Sequence, residues 1–289
     1  MPTAANDKKV TLLALLDLSA AFDCVDHDII LSTLQSRFGL DGIVLAWIRS
    51  FLSGRVQRVC FGDCLSAVLL LIYGVPQGSV LGQLLFLLYT AEVFAIIEAL
   101  QLTGYSYADD TQVYISVPAG ETQHASARLA ECVQRLDRWM AHNRLKLNAD
   151  KAQLLWLGTR HQLSKFATSR LLLQTAASTS MVDIVPTAAN LGVVFDDQLT
   201  MADHISLVCR SGYFQLRQLR TIRRLLTTDA TRALVQAFVS CRLDYCNSLL
   251  AGVADDHICR LQLLQNAAAR LVAGARRCDH ISPVLTELH

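Results

Sequence analysis

The sequence has 289 residues, 52% of them hydrophobic, and a formal net charge of +1, so it has material for a large core and does not have the composition of a disordered chain. The charge is unevenly distributed, because residues 205–289 hold eleven arginines and six acids, whereas residues 1–204 hold fifteen Lys/Arg and nineteen acids. An acidic front and a basic rear are typical of a metal-binding domain followed by a region that contacts a nucleic-acid backbone, although chance also produces such asymmetry.

The chain begins with a predicted strand that ends in an acid. Val10 to Leu16 form an apolar run of strand length, and Asp17 follows it directly. A carboxylate at the end of a buried strand is costly unless another group or a cation pairs with it. Asp17 is therefore a candidate metal ligand.

Two helices and a hairpin are predicted next. Asp26 or Asp28 caps a helix that ends near Gly39, and a second helix runs from Asp41 to Leu52. A strand that begins at Arg55 and Arg58 then turns at Gly62-Asp63 and returns from Ser66 to Tyr73 as a hairpin. Helical spacing predicts that the second helix faces inward with Ile43, Trp47, Ile48 and Phe51.

A glycine-containing loop precedes a long apolar stretch. In Gly74-Val-Pro-Gln-Gly-Ser79 the glycines allow a ligand to approach the backbone, and the start of the following helix offers free N–H groups to phosphate. Ordinary turns have similar sequences, so the loop alone is weak evidence. Val80 to Leu100 is long enough to span a bilayer, but because Gln83, Glu92 and Glu98 interrupt it we predict a buried helix.

Two adjacent acids, Asp109 and Asp110, lie between two strand-like runs. After them, apolar residues alternate with polar ones as far as Val117, which is the period of a half-buried strand and predicts a hairpin with the acids at its tip. Adjacent aspartates are common in solvated turns, so the pair gains meaning only together with Asp17. Three converging carboxylates would suit Mg²⁺, which prefers oxygen ligands.

Helix and strand patterns alternate in the next segment. Thr122 to Asn143 has one apolar helical face and is predicted to cover the sheet. Leu145 to Lys151 leads into a strand from Gln153 to Leu157, and a connection over residues 159–190 is predicted to include a strand near Leu171 to Gln174. The pattern therefore continues as a mixture of strands and helices.

Five segments in this order resemble the palm motifs of reverse transcriptases, in particular those of LINE-type, non-LTR retrotransposons of the chicken-repeat and jockey kind. They are Asp17-Leu-Ser-Ala-Ala-Phe-Asp23, Gly74-Val-Pro-Gln-Gly-Ser-Val-Leu-Gly82, Tyr107-Ala-Asp-Asp110, Leu145-Lys-Leu-Asn-Ala-Asp-Lys151 and Leu191-Gly-Val193. Residues 242–250 and 261–270 resemble the region that follows the palm. The resemblance implies an α+β fold: a right-hand polymerase palm, an antiparallel sheet with covering helices, over residues 1–200, then a helical thumb-like region over residues 201–289, with the fingers largely missing.

The resemblance also implies a reaction. A reverse transcriptase is an RNA-directed DNA polymerase, which adds dNTPs to a DNA primer on an RNA template by two-metal nucleotidyl transfer with two Mg²⁺ ions, or Mn²⁺ in their place. Carried onto this sequence, the catalytic acids are Asp17, Asp109 and Asp110, and the metal ligands are these acids and the carbonyl of Leu18.

The nucleotide-binding residues implied are Phe22, Gln77, Gly78 and Lys151. Phe22 stands where the family places a bulky side chain against the nucleotide 2′ position, but it can equally serve only in packing. Lys151 stands near the triphosphate in the family, and a solvated loop lysine is the alternative, because Ala149 and Ala152 depart from the usual Pro and Thr.

The rear of the chain carries the nucleic-acid-binding residues that we predict. Leu191 to Phe195 corresponds to the hairpin that holds the primer end in the family, and beyond Asp197 the pattern is helical. One set of arginines recurs there at a spacing that can follow a phosphate backbone: Arg210, Arg217, Arg220 and Arg224.

Partners and location are expectations at this stage. Only sixteen residues precede Asp17, where the family carries fingers, so we expect an excerpt of a larger polyprotein that lacks its fingers and endonuclease domains. The alternative function is a catalytically inactive retrotransposon-derived remnant that binds RNA or a protein. Nine cysteines without metal-type spacing indicate reduced thiols. We therefore expect an intracellular protein, cytoplasmic or nuclear, that is neither secreted nor membrane-spanning.

Overall fold

The computed structural model describes residues 9–166, 170–174, 179–276 and 278–288. The chain divides into two compact units, Met1–Pro186 and Thr187–His289. The predicted boundary at residue 200 assigned residues 187–200 to the first domain, whereas they belong to the second unit, because their hairpin packs on a helix there. Within the predicted connection over residues 159–190, residues 167–169 and 175–178 lie outside the described residues.

The first unit mixes strands and helices. Its strands are β1 (Lys9–Leu16), β2 (Val56–Gln57), β3 (Cys60–Phe61), β4 (Cys64–Leu65), β5 (Leu69–Leu70), β6 (Thr103–Tyr107), β7 (Asp110–Pro118), β8 (Gln153–Leu157), β9 (Arg170–Gln174) and β10 (Thr179–Asp183). Its helices are α1 (His27–Phe38), α2 (Gly42–Leu52), α3 (Val80–Tyr89), α4 (Glu92–Ala99), α5 (Thr122–His142) and α6 (Arg160–Leu163).

A four-stranded antiparallel sheet with the order β6-β7-β1-β8 organises the first unit. β1 lies between β7 and β8, and Val10 to Leu16 are all buried, because a central strand covered on both faces requires apolar residues throughout. In β7, Val113, Ile115 and Val117 are buried and the intervening residues are half-buried, as the alternation predicted. α5 packs on β1, β7 and β9, which confirms the predicted covering helix.

The predicted helix over Val80 to Leu100 is broken in the structure. α3 ends at Tyr89 and α4 begins at Glu92, and the Thr90 hydroxyl donates a hydrogen bond to the Phe86 carbonyl at the break. Among the described residues, the one stretch long and apolar enough to cross a membrane is Val80–Ala99, with a mean hydropathy of 2.0. Its buried side chains belong to the core of the first unit, whereas Val80, Leu84 and Leu87 are exposed.

The outer face of α2 departs from the sequence prediction. Ile48 and Leu52 are buried, but Ile43 is 86% exposed and Trp47 is 53% exposed. Helical spacing identifies an apolar side of a helix but does not show whether another element covers it. The predicted turn at Gly62-Asp63 is confirmed, since it joins the short strands β3 and β4.

The second unit begins with a hairpin and continues with helices. Its elements are β11 (Thr187–Asn190), β12 (Val193–Asp196), α7 (Ala202–Ile222), α8 (Thr228–Val235), a π-helical segment (Gln236–Ser240), α9 (Cys241–Asp244), α10 (Asp255–Ala273) and α11 (Ser282–Leu288). Asp196 is buried, and its carboxylate accepts hydrogen bonds from Thr200 and from the amides of residues 198, 200 and 201. These bonds fix the turn that leads from β12 into α7.

α7 and α10 pack closely through a glycine. A Cβ added at Gly212 would lie 2.6 and 2.9 Å from the two methyl carbons of Leu264, so any larger residue would collide with this leucine. Leu264 is fully buried in a core shared with Leu216 and Val239. The glycine thus permits the backbone of one helix to contact the side chains of the other.

Candidate active site

Asp17 lies immediately after the central strand β1. Its backbone carbonyl accepts a hydrogen bond from Asn148 N at 2.9 Å, and Ser19 N donates to Lys146 O at 2.9 Å. Leu18, between them, is buried and forms an isolated bridge with Leu147. Two of the predicted segments, 17–23 and 145–151, are therefore joined through their backbones at Asp17.

Asp109 and Asp110 lie at the tip of a tight hairpin. β6 and β7 pair as far as Tyr107 and Asp110, so Ala108 and Asp109 form the two-residue turn. Ala108 has a positive φ of 54°, a conformation that is uncommon outside glycine, and its carbonyl accepts a hydrogen bond from the Ser106 hydroxyl at 3.2 Å. The next register pair, Leu16 with Thr111, brings the hairpin tip beside the end of β1.

The charges of Asp17, Asp109 and Lys151 act on the Asp110 carboxyl. The pKa of the Asp110 carboxyl is raised, first by burial and then by the negative charges of Asp109 and Asp17, while the positive charge of Lys151 opposes the increase. Lys151 Nζ lies 3.0 Å from Asp17 Oδ2. This contact and the negative charge of Asp17 raise the pKa of Lys151.

The buried carboxylate oxygen of Asp17 lies against a positive charge in this structure. Oδ2 is buried, and the Lys151 ammonium is its partner at 3.0 Å. A buried carboxylate oxygen without a hydrogen bond is costly unless a cation compensates for it. Among the described residues, no three His, Cys, Asp or Glu side chains lie close enough together to form a metal site in this structure. The carboxylate oxygens of the three acids are nevertheless of the type that Mg²⁺ prefers.

Gly74 joins the predicted loop to the segment that follows Asp17. Its amide donates to Val25 O at 2.8 Å, and its carbonyl accepts from Arg55 Nη1 at 2.6 Å and lies 2.9 Å from His27 Nε2. A Cβ at this position would lie 3.0 Å from the Cα of Asp23, and φ is +82°. Glycine is thus required here both for the close approach and for the conformation.

The predicted nucleotide-binding residues in this loop are accessible. Gln77 and Gly78 are exposed, and the Gln77 amide donates to Asp23 Oδ1 at 3.3 Å. Ser79 caps α3, as predicted, by accepting a hydrogen bond from Gly82 N at 3.0 Å. Phe22 is half-buried and stacks on Phe86 with ring centroids 4.6 Å apart. Phe22 therefore packs on the core and also leaves part of its ring accessible.

Sequence reasoning missed the groups that hold this loop. Arg55 and His27 reach Gly74 across 19 and 47 residues of sequence. Such distant contacts leave no local pattern that would identify them. The glycine itself was the available signal, since it begins the predicted motif.

The four predicted arginines are exposed in the second unit. Arg210, Arg217 and Arg220 lie on α7, and Arg224 lies in the short 3₁₀ segment just after it. None of the four side chains forms a hydrogen bond or ion pair with a described residue. The neighbouring Arg223 differs, because it donates to the carbonyls of Leu226, Leu271 and Val272 and has a structural role.

Residues 2–188 match the family described as reverse transcriptase (RNA-dependent DNA polymerase). The chain belongs to this family. Its curated relatives confirm the resemblance to non-LTR elements. It is 26% identical over 281 residues to the probable RNA-directed DNA polymerase from transposon BS of Drosophila melanogaster, covering 93% of this chain and 30% of the relative.

A second relative is the RNA-directed DNA polymerase from mobile element jockey of Drosophila funebris, which is 26% identical over 94% of this chain and 29% of its own length. The chain thus spans about 30% of the curated relatives it matches. A telomerase structure from Candida albicans, in complex with a telomeric RNA fragment, aligns over 96% of this chain and 46% of its own with 12% identity and a TM-score of 0.42. That likeness is too low to support an assignment.

Proposed function

We propose that this chain is the polymerising core of a non-LTR reverse transcriptase, which transfers nucleotides from dNTPs to the 3′-hydroxyl of a DNA primer paired with an RNA template. The observation that carries the proposal is the meeting of Asp17, at the end of the central strand, with the hairpin that bears Asp109 and Asp110. Family membership supports the same reaction. In this assignment the first unit is the palm and the helical second unit is the thumb.

The acidic residues are the proposed holders of two Mg²⁺ ions, or of Mn²⁺. Asp17 and Asp109 are the principal ligands, Asp110 is a weaker one, and the carbonyl of Leu18 is a further oxygen. When bound, such ions lower the pKa of the attacking hydroxyl and neutralise the charge on the leaving pyrophosphate. The buried Oδ2 of Asp17, which lies 3.0 Å from the Lys151 ammonium in this structure, supports this donor set because it already pairs with a cation.

Other side chains position the nucleotide. Gln77, oriented by Asp23, and the backbone of Gly78 border the nucleotide, while the Lys151 ammonium, which contacts Asp17 in this structure, is the proposed ligand of its phosphates. Phe22, held against Phe86, blocks a 2′-hydroxyl and so selects deoxynucleotides. Because phosphoryl transfer depends mainly on positioning and charge stabilisation, these groups suffice without a covalent step.

The second unit is proposed to bind the primer–template duplex. Arg210, Arg217, Arg220 and Arg224 are exposed and without partners among the described residues, so they can neutralise phosphates. The β11–β12 hairpin turns at Leu191-Gly192, and the Tyr245 hydroxyl donates to Leu191 O at 2.6 Å. This bond stiffens the hairpin, which is proposed to hold the primer end.

The test is primer extension on an RNA template by this chain fused to the segment that precedes the matching region in a jockey relative. The fusion should extend the primer, and Asp109→Ala should abolish extension, whereas the exposed Asp63→Ala should not. As a readout independent of activity, Mg²⁺ should raise the melting temperature of wild type but not of Asp17→Asn. A folded fusion that binds the hybrid without extending it would instead favour the non-catalytic remnant.

A further inference from the structure

A groove with a volume of about 450 Å³ opens between α7 and α10 in the second unit. Residues from α7 form one wall and residues from α10 the other, and the two helices meet at Gly212 and Leu264. The groove is lined by Ser206, Cys209, Arg210, Tyr213, Arg260 and Leu263. Apart from Cys209, which is buried in a core with Ile205 and Leu261, the lining residues are not those that fill the cores of this unit, so the groove is an outer surface of the contact.

Two guanidinium groups face this groove from opposite walls. Arg260 Nη2 donates to the Ser206 hydroxyl at 3.0 Å, which holds this guanidinium across the groove, and the side chain of Arg210 forms no hydrogen bond or ion pair with a described residue. Asp256, one turn before Arg260 on α10, makes no ion pair with it in the described residues. Most guanidinium donors therefore remain available to an anion.

The remaining walls combine a hydroxyl with apolar surface. Tyr213 is 41% exposed and Leu263 is 59% exposed, while Cys209 closes the floor. Burial raises the pKa of Tyr213, so its hydroxyl remains a proton donor at neutral pH. Donors beside exposed apolar surface suit a phosphate that is attached to a sugar and a base.

The positive surface continues along α7. Arg217 lies seven residues after Arg210, on nearly the same side of the helix and about 10 Å further along its axis. It is exposed and has no partner among the described residues. A line of cations beyond the groove favours a polymer of phosphates over a single phosphate ion.

We propose that the groove between α7 and α10 binds a phosphodiester of the nucleic-acid backbone through Arg260, Arg210 and Tyr213. This deepens the proposed function and rests on it, because it adds a phosphate clamp that includes α10. Arg260 binds the phosphate, Ser206 positions Arg260, and Arg217 contacts the next part of the same strand.

The test measures binding of the whole chain to a fluorescent RNA–DNA hybrid of about 20 base pairs at several salt concentrations. Arg260→Ala should weaken binding about tenfold and reduce the salt slope by about one. Arg232→Ala, which removes an exposed arginine outside the groove, is the matched control and should change neither beyond a small general effect. Arg260→Lys should keep most of the slope because it keeps the charge. Melting temperatures establish that each variant is folded.

Three other binding results would overturn the clamp or separate it from the polymerase function. If Arg260→Ala and Arg232→Ala bind the hybrid equally, the clamp does not exist. If Arg260→Ala changes only competition by inorganic phosphate and leaves hybrid binding intact, the groove takes free anions and the proposal is wrong. Hybrid binding that depends on Arg260 in a fusion unable to extend a primer would retain the clamp and reject the polymerase function.

Discussion

Replacing Gly74 with alanine should distort the join between the loop and the segment after Asp17. The new Cβ would lie 3.0 Å from the Cα of Asp23 and 3.1 Å from the carbonyl oxygens of Phe22 and Asp23. These are backbone atoms, so they cannot rotate away as a flexible side chain would. Gly74 also has a φ of +82°, which an alanine adopts only under strain.

The expected loss of stability has two parts. Positive φ costs alanine about 1–2 kcal/mol, of which the stiffer unfolded chain offsets about 0.4–1 kcal/mol. Forcing a methyl group against packed backbone adds about 1–3 kcal/mol. Gly54→Ala isolates the first part, because Gly54 has a φ of +68° with nothing within 4 Å of its added Cβ.

Thermal unfolding followed by circular dichroism compares the two variants. For a unit of this size, each kcal/mol shifts the melting temperature by about 2–4 °C, so Gly74→Ala should melt roughly 6 °C below Gly54→Ala. In the fused polymerase it should also lower the rate of extension, since displacement by about 1 Å can cost on the order of a hundredfold. Equal melting temperatures for the two variants would refute the close approach.

Three further changes test the site and the second unit. Asp110→Asn should raise the melting temperature of the metal-free protein at neutral pH. The pKa of Asp110 is raised in the folded state, so its charged carboxylate costs stability. The gain should vanish as the pH falls towards 3.8, the ordinary pKa of an aspartate, because the carboxyl is then protonated in both states. Lys151→Met should increase the Mg²⁺-induced thermal shift, because Asp17 then has no competing ammonium, and an unchanged shift would contradict that competition. Gly212→Val should destabilise the second unit by about 1–3 kcal/mol through collision with Leu264, and adding Leu264→Ala should recover part of that loss in chemical denaturation.

Local patterns in the sequence were sufficient for the elements that carry the acids. The apolar run before Asp17, the alternation after Asp110 and the apolar face of residues 122–143 each indicate an element whose period is set by its own backbone. Their convergence in one sheet required the resemblance as well, since spacing does not reveal which strands pair.

Other features depend on distant partners and could not be predicted. The exposed Ile43 and Trp47 belong to an apolar helix side that no described element buries. The motif indicated Lys151 as a phosphate ligand, but its contact with Asp17 appears only when the two segments are bonded side by side. The sequence did not predict Arg260 as a binding residue, because its proposed role depends on α7, which forms the opposite wall of the groove.

The central position of β1 has a consequence for synthesis and folding. β1 is made long before its neighbours β7 and β8, and the side chains of Thr11 and Ser116 bond across 105 residues. Such nonlocal pairing makes folding slow, and an emerging chain exposes an unpaired apolar strand until its partners leave the ribosome. Asp17 therefore cannot meet Asp109 and Asp110 until translation has passed the hairpin, and the complete sheet requires Leu157. We expect nascent chains to need chaperone protection during that interval.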